Sequence, residues 1–355
     1  MIRAFQSHVD CVNPFGLHRM AYRRWEPVCE PRAEVVCVHG LTRNSRDFAL
    51  LAESLCHQGF AVTAPDIVGR GRSDRMVTPD LYHPGQYLAD LRVLLGEVVG
   101  VGSSLVRAAE ATRRLAAWMG PWAQALSAPW VEACNALAGD APKRRPLIWV
   151  GTSMGGLLGL YHSALFGEID ALVLNDVGPE LPGDFLGELQ LLASAREARI
   201  AHLNDAVRVL KTTSPGFAPL STEHWRLLAD ASVVRRDGRL RWDFDQRIFS
   251  PIERLPAATV GLWRVWEQLD IPTLTLRGQR SNVLLRSAAA RMSETSEVIT
   301  VPKVGHCPAL LADDQLAIVS DWVSTAAAQF ERDRGVHRPA PRVIARAAGD
   351  GLTPA

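Results

Sequence analysis

A chain of 355 residues, 47% hydrophobic and 22% charged, can bury a large core as one big domain or two modest ones, and it lacks the profile of a disordered protein. Its net charge of +1 gives no electrostatic reason to expect nucleic acid or an anionic membrane as a partner. No apolar stretch approaches the ~20 residues of a membrane span.

The opening "MIRAFQSHVDCVNPFG" has no apolar core of the secretory-leader kind. The six cysteines (Cys11, Cys29, Cys37, Cys56, Cys134 and Cys307) are scattered without a CxxC pair, which argues against a zinc site and a disulfide framework. The expectation is a reduced, cytoplasmic protein with neither metal nor cofactor.

Along the chain, strands and helices take turns. "EVVCVHG" (34–40) is a β-branched run ending in glycine, "RDFALLAESLCHQG" has helical spacing, and "FAVTAPD" (60–66) is the next strand. "PGQYLADLRVLLGEV" predicts a helix with Pro84 near its start. Four more strands are predicted at "PLIWVG" (146–151), "IDALVLND" (169–176), "PTLTLRG" (272–278) and "SEVITVP" (296–302). Apolar runs without strict alternation suit strands buried on both faces, so the rhythm predicts an α/β fold with a mostly parallel sheet between helices. A Rossmann fold shares that rhythm, but no GxGxxG follows the first strands, and "GRGRS" (69–73) has the wrong spacing.

Two stretches interrupt the pattern. Residues 100–145 form an alanine-rich helical insert broken by Pro121 and Pro129. Its Trp118, Trp122 and Trp130 either dock the insert onto the body or line a channel, a partner surface or a membrane-facing patch. Residues 179–265, helical in flavour and with Trp225, Trp242, Trp263 and Trp266 in or beside them, fall between two sheet strands, where a cap would be inserted. The core is then 1–178 plus 266–330, and the charged, Pro/Gly/Ala-rich 331–355 is a disordered tail.

The chemistry concentrates in "WVGTSMGGL" (149–157). Gly151-Thr152-Ser153-Met154-Gly155 is a GxSxG between a strand and a helix, the context of a nucleophile elbow. A β-carbon at either flanking glycine would collide with neighbouring backbone, and the helix behind the serine aims free N–H groups and its positive dipole end at a developing oxyanion. His39-Gly40-Leu41 closes the first buried strand. The amides of Leu41 and Met154 would pair as an oxyanion hole, while His39 reads as a loop-shaping element rather than a base. In "VPKVGHCPALL", His306 stands on a glycine-containing loop after the last strand, placed to reach Ser153 as general base.

With "VHGLTRN", "DIVGRGRSD", "VGTSMGG", "LVLNDVGPEL", "LRGQRSNVL" and "VPKVGHCPALL" in hand, the chain resembles the α/β-hydrolase superfamily from about residue 30 to 330, the 100–145 insert excepted. The resemblance maps the nucleophile onto Ser153 and the base onto His306, and makes "DIVGRGRSD" a structural turn. The acid is ambiguous. Many relatives carry it in an S-D-hydrophobic step after the strand matching "TLTLRG", where this chain has Ser281-Asn282-Val283. Other branches, haloalkane dehalogenases among them, place it one strand earlier, at the position of Asp176. Asp176 as the acid, Asn282 as a weak orienter of His306, and a degraded triad are all open, and Asp176 could also be a plain turn residue.

Three functions are open in turn. The first is a serine hydrolase cleaving an ester, thioester or lactone through an acyl-enzyme. The second is a carbon–carbon bond hydrolase of the meta-cleavage type, and the third a non-catalytic ligand-binding member of the fold. A serine at the elbow argues against haloalkane dehalogenases and typical epoxide hydrolases, which need aspartate there. The expected partner is a small, largely apolar molecule; homo-oligomerisation is left open.

Overall fold

The computed structural model describes residues 2–100, 128–129, 145–185, 187–189, 200–254 and 258–333. Nearly all of 100–145, its three tryptophans included, lies outside them, as does the chain beyond 333.

The first 30 residues, for which the sequence reading names no element, form a long hairpin of β1 (Ile2–Asn13) and β2 (Gly16–Pro27). It is the antiparallel edge of an eight-stranded sheet ordered β1-β2-β4-β3-β5-β6-β11-β12. The inner strands are β3 (Glu34–Val38), β4 (Ala61–Pro65), β5 (Leu147–Thr152), β6 (Ala171–Asn175), β11 (Thr273–Gly278) and β12 (Glu297–Val301), and every pairing among them is parallel.

These strands are apolar throughout because both faces are covered. Val35 and Cys37 of β3, Ile148 and Val150 of β5 and Val173 of β6 face helices α1 (Ala49–His57) and α9 (Asp313–Asp333). Their neighbours Val36, Val38, Trp149 and Leu172 face α2 (Pro84–Glu97) and α3 (Met154–Phe166). Each fully buried Val, Leu or Ile contributes about 1.5–3 kcal/mol, so the two layers make the sheet the rigid part of the molecule. α2 starts at Pro84, with the His83 ring accepting from Gln86 N at 3.3 Å, and α3 ends at the left-handed Gly167. α9 extends the regular structure to Asp333, past the expected start of the tail at 331. Among the described residues no helix is long and apolar enough to cross a membrane.

Between β6 and β11 the chain leaves the sheet. β7 (Glu180–Leu181) pairs with β10 (Val260–Gly261) and draws the two ends of this excursion together. Inside it lie α4 (Leu203–Thr213), α5 (Thr222–Ser232), the short α6 (Ser250–Glu253) and a hairpin of β8 (Val233–Arg236) and β9 (Arg239–Trp242); α7 (Trp263–Trp266) follows β10, and α8 (Arg286–Met292) lies between β11 and β12. The segment expected to be helical is therefore mixed. Asp237-Gly238 is a two-residue turn with both φ positive (49° and 73°), the hairpin signal of an Asp-Gly pair.

The α3 layer contains a buried titratable group. His162 is fully buried, stacked on Trp149 with ring centroids 5.6 Å apart, and its Nε2 lies 3.4 Å from Glu168 Oε2. Burial pushes its pKa down from 6.5 to about 3. The folded chain thus refuses a proton that the unfolded chain accepts below pH 6.5. Stability is constant on this account above 6.5 and falls between 6.5 and about 3, at up to about 1.4 kcal/mol per pH unit. His162→Phe should remove that share of the acid slope, read from urea midpoints at a series of pH values; an unchanged slope would refute the assignment.

Candidate active site

β5 turns into α3 within one residue. Ser153 occupies that turn with φ 51° and ψ −113°, a left-handed backbone that costs a non-glycine residue about 1–3 kcal/mol and persists only where the surroundings impose it. A β-carbon at Gly151 would lie 2.4 Å from Gly155 O, and one at Gly155 would lie 2.0 Å from Val38 O, so glycine at both positions lets α3 lie directly on β5 and β3. The buried Trp149 indole braces the turn by donating to Gly155 O at 2.9 Å.

Three side chains meet here from three strand ends. His306 Nε2 is 3.0 Å from Ser153 Oγ, and His306 Nδ1 is 2.7 Å from Asp176 Oδ2. With Nδ1–H donating to Asp176, Nε2 is left to accept the serine proton. Asp176 is fully buried just past β6, itself left-handed at φ 57°. Its Oδ1 accepts from Gly278 N at 2.8 Å, and its Oδ2 also accepts from Ser281 Oγ at 2.6 Å. Three donors converging on one carboxyl hold it in a single orientation.

Asn282 does not join this line. Ser281 turns inward, its hydroxyl donating to Asp176 while accepting from Val283 N and Leu284 N at 3.2 and 3.1 Å. The adjacent Asn282 lines the cavity instead, where its Nδ2 donates to both carboxylate oxygens of Glu188 at 2.7 Å. The sequence reading names Ser281 only as the residue before Asn282; the contact of its hydroxyl with Asp176 spans 105 residues and leaves no local signal.

Leu41 lies in the turn after β3 and lines the same cavity as Ser153 and His306, while Met154 is the first residue of α3, where backbone N–H groups lack intrahelical partners. The Leu41 carbonyl is held by Arg70 Nε at 2.8 Å. His39 is wholly buried, its Nε2 accepting from Ile67 N at 2.9 Å and its Nδ1 donating to Gly40 O at 2.7 Å. Burial takes its pKa down to about 3, so it is a neutral brace for the loop. Asp66, which opens "DIVGRGRSD", is likewise consumed, accepting from Ser45 N and Arg72 N at 2.7 and 2.9 Å.

The His306 loop is gripped from two sides. Asn175 Nδ2 donates to Pro308 O at 2.9 Å and to Thr152 Oγ1 at 3.1 Å. From above, Gly305 N donates to Gly216 O at 2.8 Å, and a β-carbon on Gly216 would lie 2.2 Å from His306 O. Phe185 presses its ring edge on the imidazole, centroids 5.5 Å apart.

The resulting cavity, about 730 Å³, is of the size that holds small organic ligands. Among the described residues its apolar lining includes Phe48, Phe185, Phe217, Leu228 and Pro215 and no tryptophan. Trp225, Trp242 and Trp266 are buried in packing, and Trp263 donates to Glu180.

Among the described residues, one group could hold a cation: Cys11, His18 and Asp90, whose ligand atoms lie within 4.8 Å of one another. Here they satisfy each other instead. His18 Nε2 bonds Asp90 Oδ2 at 3.0 Å, Gln86 Nε2 donates to Asp90 Oδ1 at 2.8 Å, and Asn13 Nδ2 donates to His18 Nδ1 at 3.0 Å. None of the three lines the Ser153 cavity.

Residues 35–319 match the model of the alpha/beta hydrolase family. The chain belongs to that family. Among its relatives, a 3-hydroxybutyrate-oligomer hydrolase of Cupriavidus necator is 30% identical over 331 residues, 90% of this chain and 97% of the relative. An alpha/beta hydrolase from Novosphingobium aromaticivorans superposes with a TM-score of 0.70 at 28% identity, covering 91% of this chain and 99% of that one. An esterase from Exiguobacterium antarcticum shares the fold at TM-score 0.58 and 15% identity, covering 90% and 99%. Family and relative together make this α/β-hydrolase a hydrolytic enzyme, which sets aside the ligand-binding alternative.

Two outcomes test the site's geometry in steady-state assays. Asp176→Asn should cut kcat by about 10³–10⁴, the scale of that exchange in a serine-protease triad, whereas Asn282→Asp should change it less than about threefold; the reverse pattern would remove Asp176 from the site. Gly216→Ala should lower kcat about tenfold or more with little change in melting temperature, because a misplacement near 1 Å is that costly; wild-type kcat would show that the His306 loop tolerates displacement.

Proposed function

We propose that the protein is a serine hydrolase that cleaves a small carboxylic ester through an acyl-enzyme on Ser153. The observation that carries this reading is the unbroken hydrogen-bonded line from Ser153 Oγ through His306 to Asp176 at the floor of the cavity.

His306 Nε2 takes the Ser153 proton as Oγ attacks the ester carbon. The carbonyl oxygen becomes an oxyanion facing the Leu41 and Met154 amides, preorganised donors of a kind each worth about 10²–10³ in kcat. Collapse of this intermediate breaks the carbon–oxygen bond, and His306 Nε2–H passes its proton to the departing alkoxide. A water then gives its proton to His306 and attacks the acyl-enzyme. The second collapse frees the carboxylic acid and returns the proton to Ser153. Asp176 holds the imidazole in the required tautomer and faces the positive charge it gains.

Among esters, the relative's name favours short oligoesters of a hydroxyacid such as 3-hydroxybutyrate. Thioesters and lactones would pass through the same acyl-enzyme. Carbon–carbon cleavage would use the same three residues, but the relative's name favours ester chemistry.

A fluorophosphonate probe should label Ser153, and Ser153→Ala and His306→Ala should each abolish turnover of p-nitrophenyl butyrate, by similar factors because the two act as one unit. Undiminished turnover in folded Ser153→Ala would overturn the reading.

A further inference from the structure

We propose that Arg280 and Lys303 bind a carboxylate at the cavity mouth, so that the enzyme takes oligoesters by their free carboxyl end and releases the terminal hydroxyacid. This rests on the ester-hydrolase reading above and adds to it the direction in which the substrate lies.

Among the described residues, five charged side chains line the cavity: Arg43, Asp47, Glu188, Arg280 and Lys303. Three are already engaged. Arg43 Nε donates to Asp47 Oδ2 at 2.6 Å, with further bonds to Ser232 and to Leu228 O. Glu188 accepts from Asn282 with both oxygens. Among the described residues no ion pair engages Arg280 or Lys303, and both are exposed. The described lining, which also holds Asn282, Thr213 and the Glu188 carboxylate on its neutral amide partner, therefore presents two positive charges outside any ion pair.

Their roots are held in place. Arg280 follows the end of β11 and Lys303 the end of β12. The two turns are stitched by Gln279 N to Val301 O at 2.9 Å, Arg280 N to Val304 O at 2.8 Å and Lys303 N to Gln279 Oε1 at 2.9 Å. Lys303 adopts φ 65°, a left-handed backbone that lysine enters only under constraint. Both side chains thus rise from adjoining, mutually bonded turns at the carboxyl edge of the sheet.

The chemistry decides which end of a substrate they meet. His306 must hand its proton to the departing oxygen, so the alcohol portion lies on the His306 side of the scissile bond. Lys303 is on the same loop, three residues earlier, and Arg280 is bonded to that loop. When the alcohol is the last unit of a hydroxyacid oligoester, its carboxylate is only a few bonds from the departing oxygen. A guanidinium fork and an ammonium rooted on these bonded turns complement that group. A neutral alkyl alcohol offers these cations nothing.

The test compares a linear 3-hydroxybutyrate trimer as the free acid with the same trimer ending in a carboxamide. The wild-type enzyme should show kcat/KM about tenfold or more higher for the acid, with the difference in KM, shrinking as salt is added. The first product from the acid should be the carboxyl-terminal monomer. Arg280→Gln, Lys303→Gln and the double variant should bring the acid-to-carboxamide ratio progressively toward one. Equal use of both trimers by the wild type, or a ratio unchanged in the double variant, would overturn the proposal and leave the hydrolase reading standing. Failure to cleave either trimer or p-nitrophenyl butyrate, with no labelling of Ser153, would overturn both.

Discussion

The one-residue turn at Ser153 is the constraint around which the molecule is arranged. A buried parallel strand must end, reverse into a helix and leave a hydroxyl projecting, all without a loop. That is possible only if the helix packs directly on strand backbone, as the 2.0 Å approach that a Gly155 β-carbon would make to Val38 O requires. The same close packing brings the amino end of α3 beside the Gly40-Leu41 turn. Because all the inner strands are parallel, β6 and β12 end at that same edge and deliver Asp176 and His306 to it, the general behaviour of open α/β sheets.

The excursion between β6 and β11 completes the site rather than merely covering it. It is tied to the core through polar contacts clustered on two turns. Arg43 bonds Ser232, Asn44 Nδ2 donates to Ala231 O at 2.7 Å, and Arg46 pairs with Asp230, joining the turn after β3 to α5. On the "GRGRS" side, Asp245 N donates to Gly69 O at 2.7 Å and Tyr82 donates to Asp245 at 2.7 Å. Between these anchors Arg70, almost fully buried, bonds Leu41 O, Val68 O and the Tyr87 hydroxyl. A buried cation satisfied by carbonyls and a phenol stiffens the very turn that carries Leu41. The shape of the cavity and the position of its proposed oxyanion donors are thus linked, and a ligand that displaced the excursion would disturb both.

Much of the core was legible before any coordinates because its physics is local. Runs such as "VVCV" and "ALVL" are apolar at consecutive positions, which suits a strand covered on both faces, and the strands lie within a residue or two of those runs. The GxSxG turn was legible for the same reason, since its steric demand is written into adjacent residues. The β1–β2 hairpin was missed because its alternation is diluted by charged residues on an exposed face. The β8–β9 hairpin is short and sits in a stretch of helical flavour, so "RRDGRL", which carries its turn, does not stand out in the sequence.

By itself, then, the sequence determined the α/β class, the serine turn, the histidine loop and the absence of any large charge imbalance, each a matter of residues near one another along the chain. Only the tertiary structure decided what depends on residues far apart. It brought Asp176 rather than Asn282 to His306, with Ser281 also on Asp176 and Asn282 on Glu188. Among the described residues it buries Trp225, Trp242 and Trp266 in packing and leaves Arg280 and Lys303 outside any ion pair. These meetings at the sheet edge are settled by contacts such as Asp176 to Gly278, at a separation of 102, which no local pattern encodes.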